Sequence, residues 1–290
     1  VSPIHEGEVV EQQGFTTKSF RPAYAKDKRI FDPDEPLKRS IGEQIGGELS
    51  PMERRRAKLA RELMDMVEML TRREEAMVAE FLDTGSITVD GPGFDAVSVD
   101  FGRAAALNVT LTGTDSWDDS SAGNPYEDLE DWAQLMSDND GGNPTDVIMA
   151  ANVWQQLRTT WSTETKQVLD REAGQNNEAE LGPMAGQVRF IGRMGDFRFW
   201  VYTASYVDRA GVTQKFVPDD HVFMVNTLQV EGTRAYGVIR DEKANYEARR
   251  FFSKSWLEED PAVRYLMLQS APLTVPYRPN ATLAADVINA

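Results

Sequence analysis

The stretch "SPMERRRAKLARELMDMVEMLTRREEAMVAEFLDTG", from Ser50 to Gly85, decides the fold. It reads as one helix over 51–84. At 1.5 Å per residue that helix is roughly 50 Å long, where the mean in globular proteins is about three turns. Its ends are marked. Ser50 followed by Glu53 makes the capping box S-x-x-E. Pro51 takes the first helical position, where a missing N–H costs nothing. Gly85 can close the helix in the left-handed conformation. Between the ends, Leu59, Leu63, Met66, Leu70, Met77 and Phe81 share one face at 3.6-residue spacing. The stripe is interrupted at Thr71–Glu75, where Arg73 and Glu74 fall on the apolar arc. A sustained coiled coil does not tolerate such a break easily, so an amphipathic helix lying across one sheet is expected.

Composition narrows the function classes. The chain of 290 residues carries a formal charge of −16 and no cysteine. Disulfides, thiolate metal sites and thiol nucleophiles are therefore excluded. No apolar run approaches the 18 or so residues of a membrane span. An acidic protein is a poor general binder of nucleic acid, because phosphate contacts need Lys and Arg. The charge is also uneven. Ala104–Leu157 holds no Lys or Arg, yet contains Asp115, Asp118, Asp119, Glu127, Asp128, Glu130, Asp131, Asp138, Asp140 and Asp146. A solvated acidic surface is the plain expectation. The first residue is Val1 rather than Met, which suggests a further segment upstream.

Residues 1–49 hold two extended-looking runs, near Glu8–Gln12 and Lys18–Phe31, around a Gly-Phe-Thr-Thr turn. Apolar residues are sparse there, and an isolated two-stranded ribbon is marginal in water. The segment reads as an arm ordered mainly by another surface, or else as a tail. After the helix, Ile87 and Val89, a turn at Asp90–Gly93, then Val97, Val99 and Phe101 predict a hairpin. Ala104–Thr112 fits helix or strand equally. Beyond it the pattern predicts a helix over Tyr126–Met136 and a strand over Asp146–Ala150. A second helix follows, capped by Asn152. Strands are expected near Val188–Arg193 and Phe197–Thr203, across "KFVPDDHVFMVN", and in "RYLMLQSAPLTVPY", with a bend at Pro272.

Catalytic signals are weak. His5 and His221 stand in turn-like contexts without partners at metal-ligand spacing, and read as surface histidines. No P-loop, dinucleotide or nucleophile-elbow motif is present. "DNDGGN" (Asp138–Asn143) fails as a calcium loop at its sixth and twelfth positions. The basic run Arg54, Arg55, Arg56, Lys58 and Arg61 opens the helix, where its dipole disfavours cations. That small cost suggests a use: an acidic partner subunit, the acidic window of a neighbouring chain, or packaged nucleic acid. Plain helix solubility is the alternative.

Several passages, in this order and spacing, carry a resemblance over essentially the whole chain: "VSPIHEGEVV", "MERRRAKLARE", "FDAVSVDFGR" and above all "KSWLEEDPAVRYLMLQSAPL" (Lys254–Leu273), supported by "FVPDD" and "GTRAYGVIRD". The sequence resembles the lambda-like major capsid proteins of tailed bacteriophages. The resemblance implies an α+β Hong Kong 97-like capsid fold. Residues 1–49 would be the extended loop, with the family's N-terminal arm upstream. Residues 50–125 would be a peripheral domain built on the spine helix 51–84, residues 126–240 an axial domain, and 241–290 a return to the peripheral domain. It further implies a structural protein without catalytic residues, cofactor or metal. Copies would assemble in the host cytoplasm, as pentamers and hexamers, into an icosahedral head shell around double-stranded DNA. Scaffold, portal and a decoration protein at the threefold positions would be partners, and no membrane is involved.

Arm contacts to a neighbour would come from Val9, Phe15, Lys18, Phe20, Arg21, Tyr24, Lys28 and Phe31. Some capsids of this fold join a loop lysine to an asparagine. Lys18, Lys26 or Lys28 could supply the amine here and Asn280 or Asn289 the amide, but the lambda-like branch implies decoration instead. Two other readings are a shell of the same fold around cargo enzyme, and a soluble carboxylate hydrolase.

Overall fold

The structure, a computed structural model, describes residues 22–32, 50–91, 94–119, 123–160, 187–208, 210–260 and 263–289. In chain order the strands and helices are β1 (Ala25–Phe31), α1 (Pro51–Thr84), β2 (Ser86–Gly91), β3 (Phe94–Asp100), β4 (Asn108–Thr110), α2 (Pro125–Asp138), β5 (Asp146–Met149), α3 (Ala151–Thr160), β6 (Val188–Met194), β7 (Phe197–Tyr202), β8 (Ser205–Val207), β9 (Thr213–Lys215), β10 (His221–Val225), β11 (Gly232–Tyr236), β12 (Phe252–Leu257), β13 (Arg264–Ser270), β14 (Pro272–Pro276) and β15 (Thr282–Asp286).

The long helix forms as one unbroken element with both expected ends. Ser50 accepts from Glu53 N, and Glu53 reaches back to Ser50 N at 2.7 Å. Gly85 adopts φ 76° and donates to Phe81 O at 2.8 Å. The helix backs three separate apolar clusters. Its first half, with Met66 and Leu70, packs on Phe31, Leu266 and Leu268 of the sheet β1-β13-β12. Ala76 packs on Ala204 and Phe216. Met77 and Phe81 pack on Ile87, Val89 and Leu273. The interruption at Thr71–Glu75 falls between the first cluster and the others, and it is occupied. Glu74 is buried and accepts from Tyr236 Oη at 3.0 Å, with Arg250 Nη2 at 3.4 Å and Arg234 Nη1 at 3.6 Å. A residue that breaks the apolar stripe is thus a buried acid with its own cations, the condition for tolerating such a group.

The largest core lies under a six-stranded sheet of order β4-β15-β10-β5-β7-β6. Leu129, Trp132 and Met136 of α2 and Val153 and Leu157 of α3 fill it against Val147, Phe199, Phe223 and Leu283. Trp117 and Trp132 stack at 5.8 Å. This sheet reaches beyond 126–240. β15 pairs with β10 antiparallel and carries β4 beside it in parallel. Leu283, Ala284 and Ala285 are all buried, which suits a strand covered on both faces. Asn152 lies inside α3, which begins at Ala151, and so does not cap it. Ala104–Thr112 resolves into a short 3-10 turn at Ala105–Leu107 followed by β4.

Arg103 joins the two halves. It is buried, and its guanidinium donates to the last helix carbonyls, Leu82 O and Asp83 O, both at 2.6 Å. The same group reaches Asn108 of β4 and lies 3.5 Å from Thr282 of β15. A cation at the negative end of the helix dipole is favourable. Burial lowers the Arg103 pKa to about 10, partly offset by Asp83, and the group stays charged at neutral pH. Gly85 leaves the room: a Cβ there would stand 2.9 Å from Arg103 Cβ. Replacing Arg103 with Met strands the helix carbonyls and the Asn108 acceptor. We expect a loss of about 3–5 kcal/mol, the range for breaking a buried charge network, read as a lowered urea midpoint. A loss below about 1 kcal/mol would show that water replaces the guanidinium.

Candidate functional site

The residues predicted to act between subunits divide in the structure. Val9, Phe15, Lys18, Phe20 and Arg21 lie outside the described residues, as does the Glu8–Gln12 run. Tyr24, Lys28 and Phe31 are described, and they belong to a segment held by its own chain. β1 pairs antiparallel with β13 from Ala25↔Ser270 to Phe31↔Arg264. The stretch from Ala25 to Phe31 therefore does not wait for a neighbour to complete its ladder. The sequence could not show this, because the partner strand lies more than two hundred residues away.

Alternation along β1 gives the sheet two faces. Phe31 points inward to Met66, Leu70, Leu266 and Leu268. Arg29, on the same face, pairs with Glu62 and lies 3.7 Å from Asp65. Tyr24 donates to Gln269 Oε1 at 2.7 Å and accepts from Arg240 N at 3.0 Å. On the other face Lys26, Lys28 and Ile30 are exposed. Lys28 Nζ sits 3.8 Å from the Tyr265 ring centroid and 5.7 Å from that of Trp256; these rings stack at 5.3 Å. Lys254 lies 5.6 Å from the Trp256 ring and pairs with Asp241. The passage "KSWLEEDPAVRYLMLQSAPL" thus supplies a hairpin, β12–β13, whose open face carries lysines over aromatic rings. Single cation–ring contacts of this kind contribute about 0.5–1 kcal/mol at exposed sites.

The basic run occupies the first turns of α1. Arg56 and Arg61 are exposed, while Arg54, Arg55 and Lys58 are half-buried. Arg55 lies 3.1 Å from Met52 Sδ, and Lys58 Nζ 5.8 Å from the Phe31 ring. The acidic window is mostly surface: Glu127, Glu130, Asp131 and Asp138 of α2 are exposed. Asp119, Asp128 and Asp146 are less accessible. Asp128 accepts from Trp117 Nε1 at 2.7 Å, and its pKa is raised by burial and by the acids around it. Asp146 is buried on β5 and accepts from Thr145 Oγ1 and Arg198 Nη2 at 2.6 Å, Trp200 Nε1 at 2.8 Å and Thr227 Oγ1 at 3.0 Å.

His221 departs from the surface reading. It is only partly exposed and stands between two carboxylates: Nδ1 is 2.8 Å from Asp220 Oδ1, and Nε2 is 3.2 Å from Asp83 Oδ1. Asp220, His221 and Asp286 bring their ligand atoms within 4.8 Å of one another. Both ring nitrogens face carboxylates of the chain. The Asn139–Gly142 turn likewise engages its own carbonyls, Asn139 O with Asn280 Nδ2 at 2.9 Å and Gly141 O with Asn226 Nδ2 at 3.0 Å.

The chain matches the family described as Phage major capsid protein E over residues 1–287. It is 33% identical over 281 residues to the major capsid protein of Escherichia phage lambda, covering 94% of this chain and 80% of that one. The major capsid protein of Escherichia phage N15 is 31% identical, with the same coverage. A crystal structure assigned as a prophage capsid protein of E. coli CFT073 superposes with a TM-score of 0.78 at 26% identity, covering 92% of this chain and 77% of that one. The chain belongs to this capsid protein family, and its fold is the Hong Kong 97-type capsid fold.

Asp146 gives the site a pH signature. Burial pushes its carboxyl up, but the bonds from Thr145, Arg198, Trp200 and Thr227 outweigh burial and hold it below the usual range. A depressed folded value means a contribution fully present above the ordinary carboxylate pKa of about 3.9 and lost as pH falls through the folded value. Asp146→Asn should cost about 1–3 kcal/mol at neutral pH and flatten the acid limb of a stability–pH curve. An acid limb as steep as wild type would show that Asp146 does not carry it.

Proposed function

We infer that this chain is the major capsid protein of a tailed bacteriophage, a structural subunit that self-assembles into the icosahedral head shell of the virion around double-stranded DNA. The carrying observation is the coincidence of a family match over nearly the whole chain with a superposition at TM-score 0.78 onto a capsid subunit. Rings of five and six subunits use heterologous contacts, each surface meeting a different one on the next copy. The sheet face with Lys26, Lys28, Trp256 and Tyr265 suits such a contact, as do the residues upstream of it. Scaffold and portal would act during assembly, and a decoration protein would sit at the threefold positions. Negative-stain microscopy of the purified chain tests the reading. Closed shells or curved sheets of rings are expected; a stable monomer under every assembly condition would refute it.

The charge extremes suggest an orientation. Packaged DNA presents dense phosphate charge to the inner wall. The exposed acids of α2 would be repelled there, so they belong on the outer face or around the axial contacts. The basic opening of α1 is the better candidate for the inner wall or an acidic neighbour. Replacing Arg54, Arg55 and Lys58 with Gln changes charge at little cost in helix propensity. Particle yield or DNA retention should fall, and in wild type both should weaken as salt screens exposed charge. Unchanged assembly and packaging across a salt series would leave the cluster as a solvated helix end.

Covalent cross-linking is not expected. The candidate amides are engaged within their own subunit. Asn280 accepts from Ala104 N at 2.8 Å and donates to Asn139 O. Asn289 accepts from Gly113 N at 3.1 Å and donates to Gly113 O at 2.9 Å. Mature particles boiled in detergent should run as a single band at the subunit mass; a ladder of multimers would contradict this.

A further inference from the structure

The first residue of β10 and the last residue of β15 stand opposite one another. His221 pairs with Asp286 in the antiparallel ladder, and directly opposed residues of such a pair share one face of the sheet. Asp220 joins them just before β10, its backbone carbonyl accepting from Val287 N at 2.9 Å. Each of the three side chains offers a ligand atom, and these atoms lie within 4.8 Å of one another. All three residues are half-buried. Asp286 Oδ1 is itself buried with no hydrogen-bond partner among the described residues, and a buried acceptor left unpaired is costly. Sequence spacing hides the set, because Asp286 lies on another strand, far along the chain from His221.

We propose that Asp220, His221 and Asp286 form a binding site for one divalent transition-metal ion of the zinc class, which clamps the start of β10 to the end of β15. The donor set selects the class. An imidazole nitrogen suits zinc and its neighbours in the transition series, whereas calcium and magnesium favour oxygen ligands throughout. Atoms bound to one zinc at about 2.1 Å stand roughly 3–4 Å apart, so the present spread closes by small side-chain rotations. Nδ1 is the ligating nitrogen, because it is the one beside Asp220, 2.8 Å from Oδ1. The ring hydrogen then sits on Nε2, 3.2 Å from Asp83 Oδ1. A carboxylate in that position fixes the tautomer and orientation of a metal-bound imidazole. Neutral imidazole carries one hydrogen in either form, so zinc moves it from Nδ1 to Nε2 with no net change in protons.

Charge favours a dication here. Asp220 and Asp286 act on Asp83 as like charges, with His221 and Arg103 opposing them. Arg103 is committed to the helix carbonyls Leu82 O and Asp83 O, and Lys215 is paired with Asp219. Three carboxylates facing one guanidinium and a neutral imidazole leave an excess of two negative charges, which one divalent ion cancels. The backbone is already in place. The ladder holds His221 against Asp286 through to Val225 against Thr282, and His221 N donates to Pro218 O at 3.2 Å. Ligands on such rigid elements are positioned more closely than ligands on loops. Water takes the remaining position of the ion, since the three side chains are only half-buried. The inference concerns a single subunit and holds whether or not copies assemble.

The test uses the full chain, unassembled, with His5→Gln introduced so that His221 is the only imidazole. The probe is zinc chloride, with magnesium and calcium chloride as controls. Calorimetric titration should count a single zinc per chain. The thermal midpoint should rise by about 5 °C or more at roughly a hundredfold excess over Kd, and a chelator should reverse the rise. Hydrogen exchange should show protection gained at His221–Val225 and Thr282–Asp286, and nitrogen NMR should place the ring hydrogen on Nε2. Asp286→Asn keeps the shape of the side chain and should weaken zinc by more than about tenfold, while Asp83→Asn, one step removed from the ion, should cost about tenfold. Zinc bound with equal strength by the parent and by Asp286→Asn would overturn the site. So would the lack of a zinc-dependent midpoint rise, or an equal rise with magnesium or calcium. If Asp286→Asn does not fold, the parent decides: a ring hydrogen that stays on Nδ1 at saturating zinc would overturn the proposal.

Discussion

A buried guanidinium at the end of a long helix is the constraint on which the rest of the subunit depends. A helix of this length carries its unsatisfied carbonyls far from its first turn. They end where the six-stranded sheet begins, at Leu82 and Asp83, beside β4 and β15. Water cannot serve them fully there, because Leu82 packs against the main core. Arg103 meets the need with a planar fork of donors that reaches helix and strand together. A lysine presents a compact charge and could not span both sets of acceptors. The left-handed turn at Gly85 brings the chain round so that Arg103 returns to the helix it follows. The passage "FDAVSVDFGR" thus ends on its most consequential residue.

What was legible in the sequence was local. The capping box, Pro51 and Gly85 act within four residues of each other's partners, so the helix boundaries follow from the chain itself. The hairpin β2–β3, the strands of the central unit and helix α2 were legible for the same reason. Contacts across long separations were not. Nothing near Lys28 indicates that β13 completes its strand, and nothing near Thr282 shows that β15 sits between β4 and β10. Buried polar groups were misread in a consistent direction. Glu74 looked like a flaw in an apolar stripe, Asp146 like one acid among many, and His221 like a surface residue. Each has partners on distant elements: Arg234, Tyr236 and Arg250 for Glu74; Arg198, Trp200 and Thr227 for Asp146; and Asp83 for His221, which is only half-buried. Residue type alone cannot reveal a compensating partner.

The excess of acid also takes a form that composition hides. Many of the cations are spent inside the subunit. Arg29, Arg198, Arg250 and Lys254 each pair with a carboxylate of another element, and Arg103 serves the helix end. The acids of α2 have no such partners on their own window, which lacks Lys and Arg entirely. Exposed positive charge lies elsewhere, as at Arg56 and Arg61 at the start of α1 and at Lys26 and Lys28 on the outer face of β1. A net charge of −16 describes neither surface. The separation of signs, rather than their sum, is what a neighbouring copy would meet, and complementary patches fix register and orientation more than they add affinity.

The same helix makes folding and assembly depend on one another. A two- or three-stranded sheet is marginal in water unless something covers a face. The sheet β1-β13-β12 and the hairpin β2–β3 are of that size, and each borrows its cover from a different part of α1. Among the described residues their other faces keep exposed side chains: Lys28 and Ile30 on one, Val97 on the other. An ordinary globular domain would close such faces with further layers of its own. Here one long element covers one face of several small sheets, and among the described residues exposed side chains remain on the other. In the shell we propose, neighbours stand in that position. Each subunit is then stable enough to fold on its helix, while its small sheets gain their second packed face only when copies meet.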